Sequence, residues 1–400
     1  MQRSVIAVIL LTSLILTGCS GADGRPAAGT PTKAAQVGAP LSAESTPTSP
    51  EGVATRAPSA TPRPTGTPTP TTTRRPTATP APTATPKPAE LGLSRSNPLP
   101  LGSEIRGKTW SIIVTGVVRG GEAAKMVAQA NMFNDPPRDG YEYLIANIKL
   151  TNISDEEKAQ SASFAVDLRL TGDRNTAYSP ALVVAPKRLE GDLFPKGTTE
   201  GQEVFEVPIG EKNLEFIVQE ALSFDAEARR FIAIDEQAKV IPDPALRSVK
   251  PTDEGKTRAR PAKLGDTLVA GPWEFSLQEV VRGERAAQMV KAANQFNRPA
   301  PEGQEYVLVR LKARFLGTAD PDEMGSIDGS YLKITGERNV IYESPMAVEP
   351  DPSLDADLFA GGETEGWVVL SAAKGEKGLL IIFKPLWSFS DSDTRYIAID

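Results

Sequence analysis

The chain has 400 residues with 44 basic and 51 acidic side chains, a formal charge of −7, no histidine and a single cysteine. Lacking histidine, it excludes Ser-His-Asp and Cys-His catalysis and the common zinc sites in their ordinary forms, and one thiol allows no internal disulfide. The first 90 residues hold eight basic and four acidic groups, which leaves −11 for the remainder, a sign that argues against nucleic acid as a partner.

Met1-Gln2-Arg3 is a short positive start, and residues 5–16 are an apolar run of 12. A membrane-spanning helix needs about 20 residues, so the run reads as a signal-peptide core. It closes on Leu16-Thr17-Gly18-Cys19, which resembles the bacterial lipoprotein box. Small residues at Thr17 and Gly18 suit a narrow processing site, and the Cys19 thiol accepts the lipid. The competing reading is an ordinary secretion signal with a chance cysteine; Cys19 being the only one favours lipidation.

Residues 19–90 are rich in Pro, Thr, Ala, Ser and Gly, most densely over 61–88. Proline fixes φ and withholds a donor, so this spacer is expected to be disordered and polyproline-like, holding the rest of the chain away from the membrane. Its scattered basic groups keep it soluble; contact with anionic polymers or headgroups is the lesser reading.

Past residue 90 the chain is written twice. VVRGGEAAKMVAQANMFN (117–134) returns as VVRGERAAQMVKAANQFN (280–297), and TGDRN (171–175) returns as TGERN (335–339). GDLFPKGTTEG (191–201) matches ADLFAGGETEG (356–366), and FIAID (231–235) matches YIAID (396–400). The spacing stays between 163 and 165 residues, as expected for one fold in tandem. The boundaries read as signal peptide 1–18, spacer 19–90, first repeat 91–238, linker 239–262 and second repeat 263–400.

In each repeat the dominant signal is period two. Leu144, Ala146, Ile148 and Leu150 alternate with Tyr143, Ile145, Asn147 and Lys149, and Val307, Val309, Leu311 and Ala313 do the same in the second copy. Each set reads as a strand with one core face and one mostly polar face. Other strands are expected at 110–118 and 273–281, 163–170 and 329–334, 202–207 and 367–370, 214–219 and 379–384, and 230–234 and 395–399. One helix interrupts each repeat, over 122–133 and 284–296, with Asn134 and Asn297 as left-handed C-caps ahead of Pro136 and Pro299. Its Ala-Met stripe packs on the sheet rather than forming a ligand groove. The fold class is all-β: two tandem antiparallel β-sandwich domains, each with one inserted α-helix, after the disordered tether.

A helix-bearing loop, then Gly140, Glu142 and Tyr143 ahead of a long alternating strand that ends at Thr151, Asn152 and Ser154, resembles a bacterial surface-lipoprotein domain family of unknown function. That resemblance implies an immunoglobulin-like sandwich, similar to a mycobacterial secreted immunoprotective antigen, and an extracytoplasmic location. It brings no established activity. The second copy lacks the Asn-x-Ser turn, ending Phe315-Leu316-Gly317-Thr318.

Residues shared by both copies form the shortlist of functional candidates. Asp192/Asp357 and Glu200/Glu365 are carboxylate pairs flanking a turn, read either as Ca²⁺ ligands or an acid/base pair, or as solvated partners of arginine. Arg119/Arg282 and Arg174/Arg338 read as anion clamps or as ties between loops. Asn131/Asn294 read as pocket-lining or helix-ending side chains. Trp110 and Trp273 read as core. Trp367 and Trp387, present only in the second copy, either stack on sugar rings or fill volume. No calcium-loop motif occurs, so no metal and no cofactor is expected.

The composite reading is a lipid-anchored, non-enzymatic binding or scaffolding protein on the extracytoplasmic face of a bacterial membrane. Its expected partners are the membrane, through the anchor, and a cell-wall polymer, matrix or surface protein, with no nucleic acid. The alternative is a solute- or ion-capturing lipoprotein working with a transporter; a carboxylate-dependent glycan hydrolase is a third.

Overall fold

In the computed structural model, which describes residues 91–400 apart from Leu222, residues 224–227, Trp387 and Phe389, the alternating stretches pair into sheets. The signal-peptide, tether and Cys19 readings lie outside the described residues, as does Trp387. The first half contains β1 (Glu104–Arg106), β2 (Trp110–Arg119), α1 (Gly121–Ala130), β3 (Tyr141–Asn152), β4 (Gln160–Ser161) and β5 (Val166–Thr171). It continues with β6 (Thr176–Ala177), β7 (Asp192–Leu193), β8 (Thr198–Pro208), β9 (Glu215–Glu220) and β10 (Arg230–Ala233). The second half contains β11 (Ala262–Lys263), β12 (Leu268–Ala270), β13 (Trp273–Arg282), α2 (Gly283–Ala293), β14 (Gln304–Phe315) and β15 (Gly325–Asp328). It closes with β16 (Leu332–Thr335), β17 (Ile341–Tyr342), β18 (Asp355–Leu358), β19 (Glu363–Ala373), β20 (Leu380–Phe383) and β21 (Arg395–Ala398).

Each half is a sandwich of antiparallel strands, save that the short β11 runs parallel to β21. The sheet β1-β2-β3-β8 faces β10-β9-β5 in the first, and β12-β13-β14-β19 faces β11-β21-β20-β16-β17 in the second. The layers close over Ile112, Leu144, Ile148, Phe205, Phe216 and Ile232 in one half and Trp273, Phe275, Leu311, Phe315 and Phe383 in the other. Burying each such side chain contributes about 1.5–3 kcal/mol. A register shift between Val114 and Gly116 in β2, and a matching one between Leu277 and Glu279 in β13, bends the first long strand of each sandwich.

Three expectations need correction. The outer face of β3 is not mostly polar: Tyr143 and Ile145 are buried beneath Ala123 and Val127 of α1, and Tyr306 and Leu308 lie beneath Ala286 and Val290 of α2. A helix laid on the outer face gives these strands two dry sides. The helices also stop early, at Ala130 and Ala293, because Asn131 and Asn294 turn extended and their Oδ1 atoms accept from the N–H of Phe133 and Phe296 at 2.9 and 2.8 Å. That local bond competes with the helical one. Residues 162–164 and 329–331, read as strand, are single 3₁₀ turns ahead of β5 and β16.

The halves are joined by strand pairing. β18 lies between β15 and β6, with Asp357 opposite Ala177 and Leu358 opposite Thr176. Beside this joint, Phe359 packs edge-on against Phe231 at 6.1 Å. Arg95, wholly buried, stacks its guanidinium 3.8 Å from the centre of the Phe359 ring and bonds to Asn175 at 2.8 Å and Asp322 at 3.1 Å.

Candidate functional site

Several of the most exposed apolar side chains lie just past each helix and on the segment tied to its end. Asn134 does not adopt the left-handed cap. Its Nδ2 donates to the Val127 carbonyl at 2.8 Å and to the Val184 carbonyl at 2.9 Å, and its Oδ1 accepts from the Val184 N–H at 2.8 Å. Asn297 repeats the clamp on Val290 and Val348, at 2.7 and 2.9 Å for the carbonyls and 2.8 Å for the N–H. The helix end and the facing segment are thus tied by three bonds from one side chain. On the segments so tied, Met132, Phe133, Leu182 and Val184 are exposed in the first half, and Phe296, Met346 and Val348 in the second. Phe133 and Phe296 are 83% and 82% exposed. Solvent-facing aromatics in matched places, on backbone tied down by the neighbouring asparagines, are the feature of this surface best suited to binding. Sequence reading placed Phe133 and Phe296 inside the helices and missed the tips; the matched N-x-F-N was the available signal.

The arginines of the shortlist are engaged internally. Arg119 donates to Glu142 Oε1 at 2.8 Å and to the Glu211 carbonyl at 3.2 Å. Arg282 donates to Glu305 Oε1 at 2.9 Å, Asp400 Oδ1 at 2.8 Å and the Glu376 carbonyl at 2.9 Å. Arg174 and Arg338 belong to turns wrapped around a buried glutamate. The Arg174 N–H donates to Glu211 at 3.4 Å and the Arg338 N–H to Glu376 at 3.0 Å, while Tyr178 and Tyr342 donate their hydroxyls to the same two carboxylates. Gly172 and Gly336 are required there, since an added Cβ would lie 2.6 and 2.5 Å from a carboxylate oxygen. Burial pushes Glu211 up, against the bonds from Tyr178 and Arg174. Arg119 and Arg282 thus tie a strand end to neighbouring loops, whereas the Arg174 and Arg338 side chains are more than half exposed, 3.8 and 3.4 Å from Glu211 and Glu376.

Residues 100–229 match the family model of a domain of unknown function, DUF4352. No curated protein matches the chain. Among solved structures, the yjhA protein of Bacillus subtilis is 14% identical, with 35% of this chain and 99% of that one covered and a TM-score of 0.26. A Bacillus subtilis protein, ycdA, provisionally assigned as a lipoprotein, is 11% identical over 34% of this chain and 39% of its own, with a TM-score of 0.25. An uncharacterised β-sandwich protein of Clostridium difficile is 9% identical over 36% and 96%, also at 0.25. At such scores the sandwich is read from this chain's own sheets.

Outside the arginines the shortlist separates. Glu200 pairs with Lys187 at 3.5 Å and Glu365 with Arg310 at 2.7 Å, whereas Asp357 engages Arg169 and Ser326 at the joint between halves. Asp192 is exposed in β7. The carboxylate pairs therefore serve different partners, and the described residues hold no group of three or more His, Cys, Asp or Glu arranged for a metal. Trp110 and Trp273 are core, as read. Trp367 is buried beneath α2 with Tyr306 and Val369, which resolves its two readings toward filling volume. One carboxylate cluster was not foreseen. An open depression of about 390 Å³ is lined by Asp328, Glu349, Asp351 and Asp355. Burial pushes Glu349 up to about 7, with Asp328 and Asp355 adding to the shift and the Val369 N–H opposing it. Among the described residues no helix is long and apolar enough to cross a membrane.

Proposed function

We propose that the protein is a non-catalytic binding or scaffolding module of the bacterial cell envelope, held on the extracytoplasmic face by a lipid on Cys19, with a repeating wall polymer as its ligand. The observation supporting this is the pair of Asn-clamped apolar tips. Two matched contact points suit a ligand that presents the same unit many times, because the second contact forms at high effective concentration. Aromatic rings have few rotatable bonds to fix on binding and give large contact area. We also read the second half as a further copy of the matched domain, immunoglobulin-like and akin to the mycobacterial antigen, since its Arg282, Glu376, Tyr342 and Asn297 contacts repeat those of Arg119, Glu211, Tyr178 and Asn134.

The test is co-sedimentation of the chain with purified wall polymer and, separately, with protein-stripped membranes. Salt-resistant pelleting with wall polymer is expected, weakened about tenfold or more by Phe133→Ala with Phe296→Ala, the scale of losing aromatic anchors. Pelleting with neither fraction, or pelleting indifferent to both substitutions, overturns the reading. A hydrolase would have to sit at the depression around Glu349; sugar release from the same polymer that is lost in Glu349→Gln would favour that second reading.

A further inference from the structure

The joint between the halves is asymmetric, and it leaves both of its complementary faces unused at the opposite ends. The first half supplies one face: Arg95, Arg169, Asn175, Ala177, Ile217 and Phe231. The second supplies the other: Asp322, Ser326, Asp357 and Phe359. Each face has a counterpart in the other half.

The counterpart of the first face lies on the second half. The Tyr396 N–H donates to the Gly255 carbonyl as the Phe231 N–H does to that of Gly92, at 2.7 and 2.8 Å. Arg258 donates to Asn339 at 2.7 Å as Arg95 donates to Asn175 at 2.8 Å, and both asparagines are left-handed, with φ 60° and 59°. Lys333 stands in for Arg169, and Ile341 for Ala177. The counterpart of the second face lies on the first half. β4 and β7 pair Ser161 with Asp192 as β15 and β18 pair Ser326 with Asp357. Phe194 follows β7 as Phe359 follows β18, and the loop ahead of β4 carries Asp155, Glu156 and Glu157 where the loop ahead of β15 carries Asp322.

What differs is burial. Phe359 is fully buried and Phe194 is 65% exposed; Ala177 is 7% exposed and Ile341 56%. Lys333, Arg258 and the three acids are exposed, and among the described residues β7 has no strand on its second side. The chemistry is preserved, with cations and an aliphatic strand on one end, acids and a phenylalanine on the other.

We infer that the second half of one molecule docks on the first half of a second copy, repeating the internal joint between chains. Val340 and Ile341 of one copy then pair with Leu193 and Asp192 of the next. Phe194 packs on Ile341 and Tyr396, Lys333 meets Asp192, and Arg258 meets the 155–157 acids. Such a contact is heterologous, so it propagates head to tail. It does not depend on any wall ligand or on the lipid.

The experiment uses residues 20–400, which contain no cysteine and keep both cores entire. Sedimentation velocity without polymer or membrane is expected to show mass rising with concentration beyond about twofold that of one chain. Asp192→Cys and Ile341→Cys are then introduced on separate chains, since directly paired strand residues come within disulfide range. A cross-linked dimer is expected on oxidising the mixture and not from either variant alone. Phe194→Asp, at an exposed position, is expected to abolish the mass increase without moving the melting temperature. A single-chain mass at the highest soluble concentration, cross-linking that does not require both variants, or association that survives Phe194→Asp each overturns the inference.

Discussion

Glu215 shows how a single side chain reports on the closed joint. It is fully buried, and neither carboxylate oxygen has a hydrogen-bond partner among the described residues. Burial pushes its pKa up to about 8, with Arg95 opposing and Asp322 adding. Unfolded, the group titrates near 4.5. Between those values the folded chain binds the proton and the unfolded chain does not, so stability falls as pH rises through that window. Thermal unfolding should therefore drop on the order of 5 °C between pH 5 and 8, and Glu215→Gln should flatten that slope. An unchanged slope in the variant would place the pH dependence elsewhere.

At the scale of elements, the helix-end clamp carries the sharpest expectation. One Asn134 side chain satisfies a last-turn carbonyl of α1 and both backbone groups of Val184. Asn134→Ala removes all three and leaves partly buried groups unpaired, at about 1–3 kcal/mol. Amide exchange should accelerate in α1 and at Val184, and polymer binding should fall although no contact residue has changed. The elements themselves were largely legible in the sequence. Strict alternation of Leu144, Ala146, Ile148 and Leu150 located β3 and its inward face, because a period of two has only one structural meaning over that length. The helix ends were legible only in part. Asn131 was open to two readings, lining a pocket or ending the helix, and the expected cap was placed three residues later at Asn134; only the geometry of its side chain reveals that Asn131 bonds forward to Phe133. The turn at Thr171–Asn175 was legible as a turn, whereas its purpose depends on Glu211, some 40 residues away, arriving beneath Gly172. β6 and β7 escaped notice because two-residue strands have no period to read.

At the scale of the molecule, the same residue type has opposite duties at matched places. Phe359 is sealed in the joint against Phe231 and Arg95. Phe359→Asp should lower the melting temperature and, by prising the halves apart, give a second unfolding transition in calorimetry. Retention of one unaltered transition would mean that the joint adds no cooperativity. Nothing in the repeat pattern disclosed this division of labour. Arg95 precedes the matched stretches, Asp322 lies in a loop where the halves differ in length, and the two meet across a sequence separation of 227 residues.

The placement of Arg95 bears on what counts as one module. The segment that matches the family model begins at residue 100, after the arginine that locks the two sandwiches together. A sandwich transplanted into another protein by those limits would take its sheets along and leave its coupling behind. Where inheritance cuts the chain and where mechanics joins it are therefore different points, and the short stretch just ahead of each sandwich decides whether neighbouring modules behave as beads on a string or as a stiff rod.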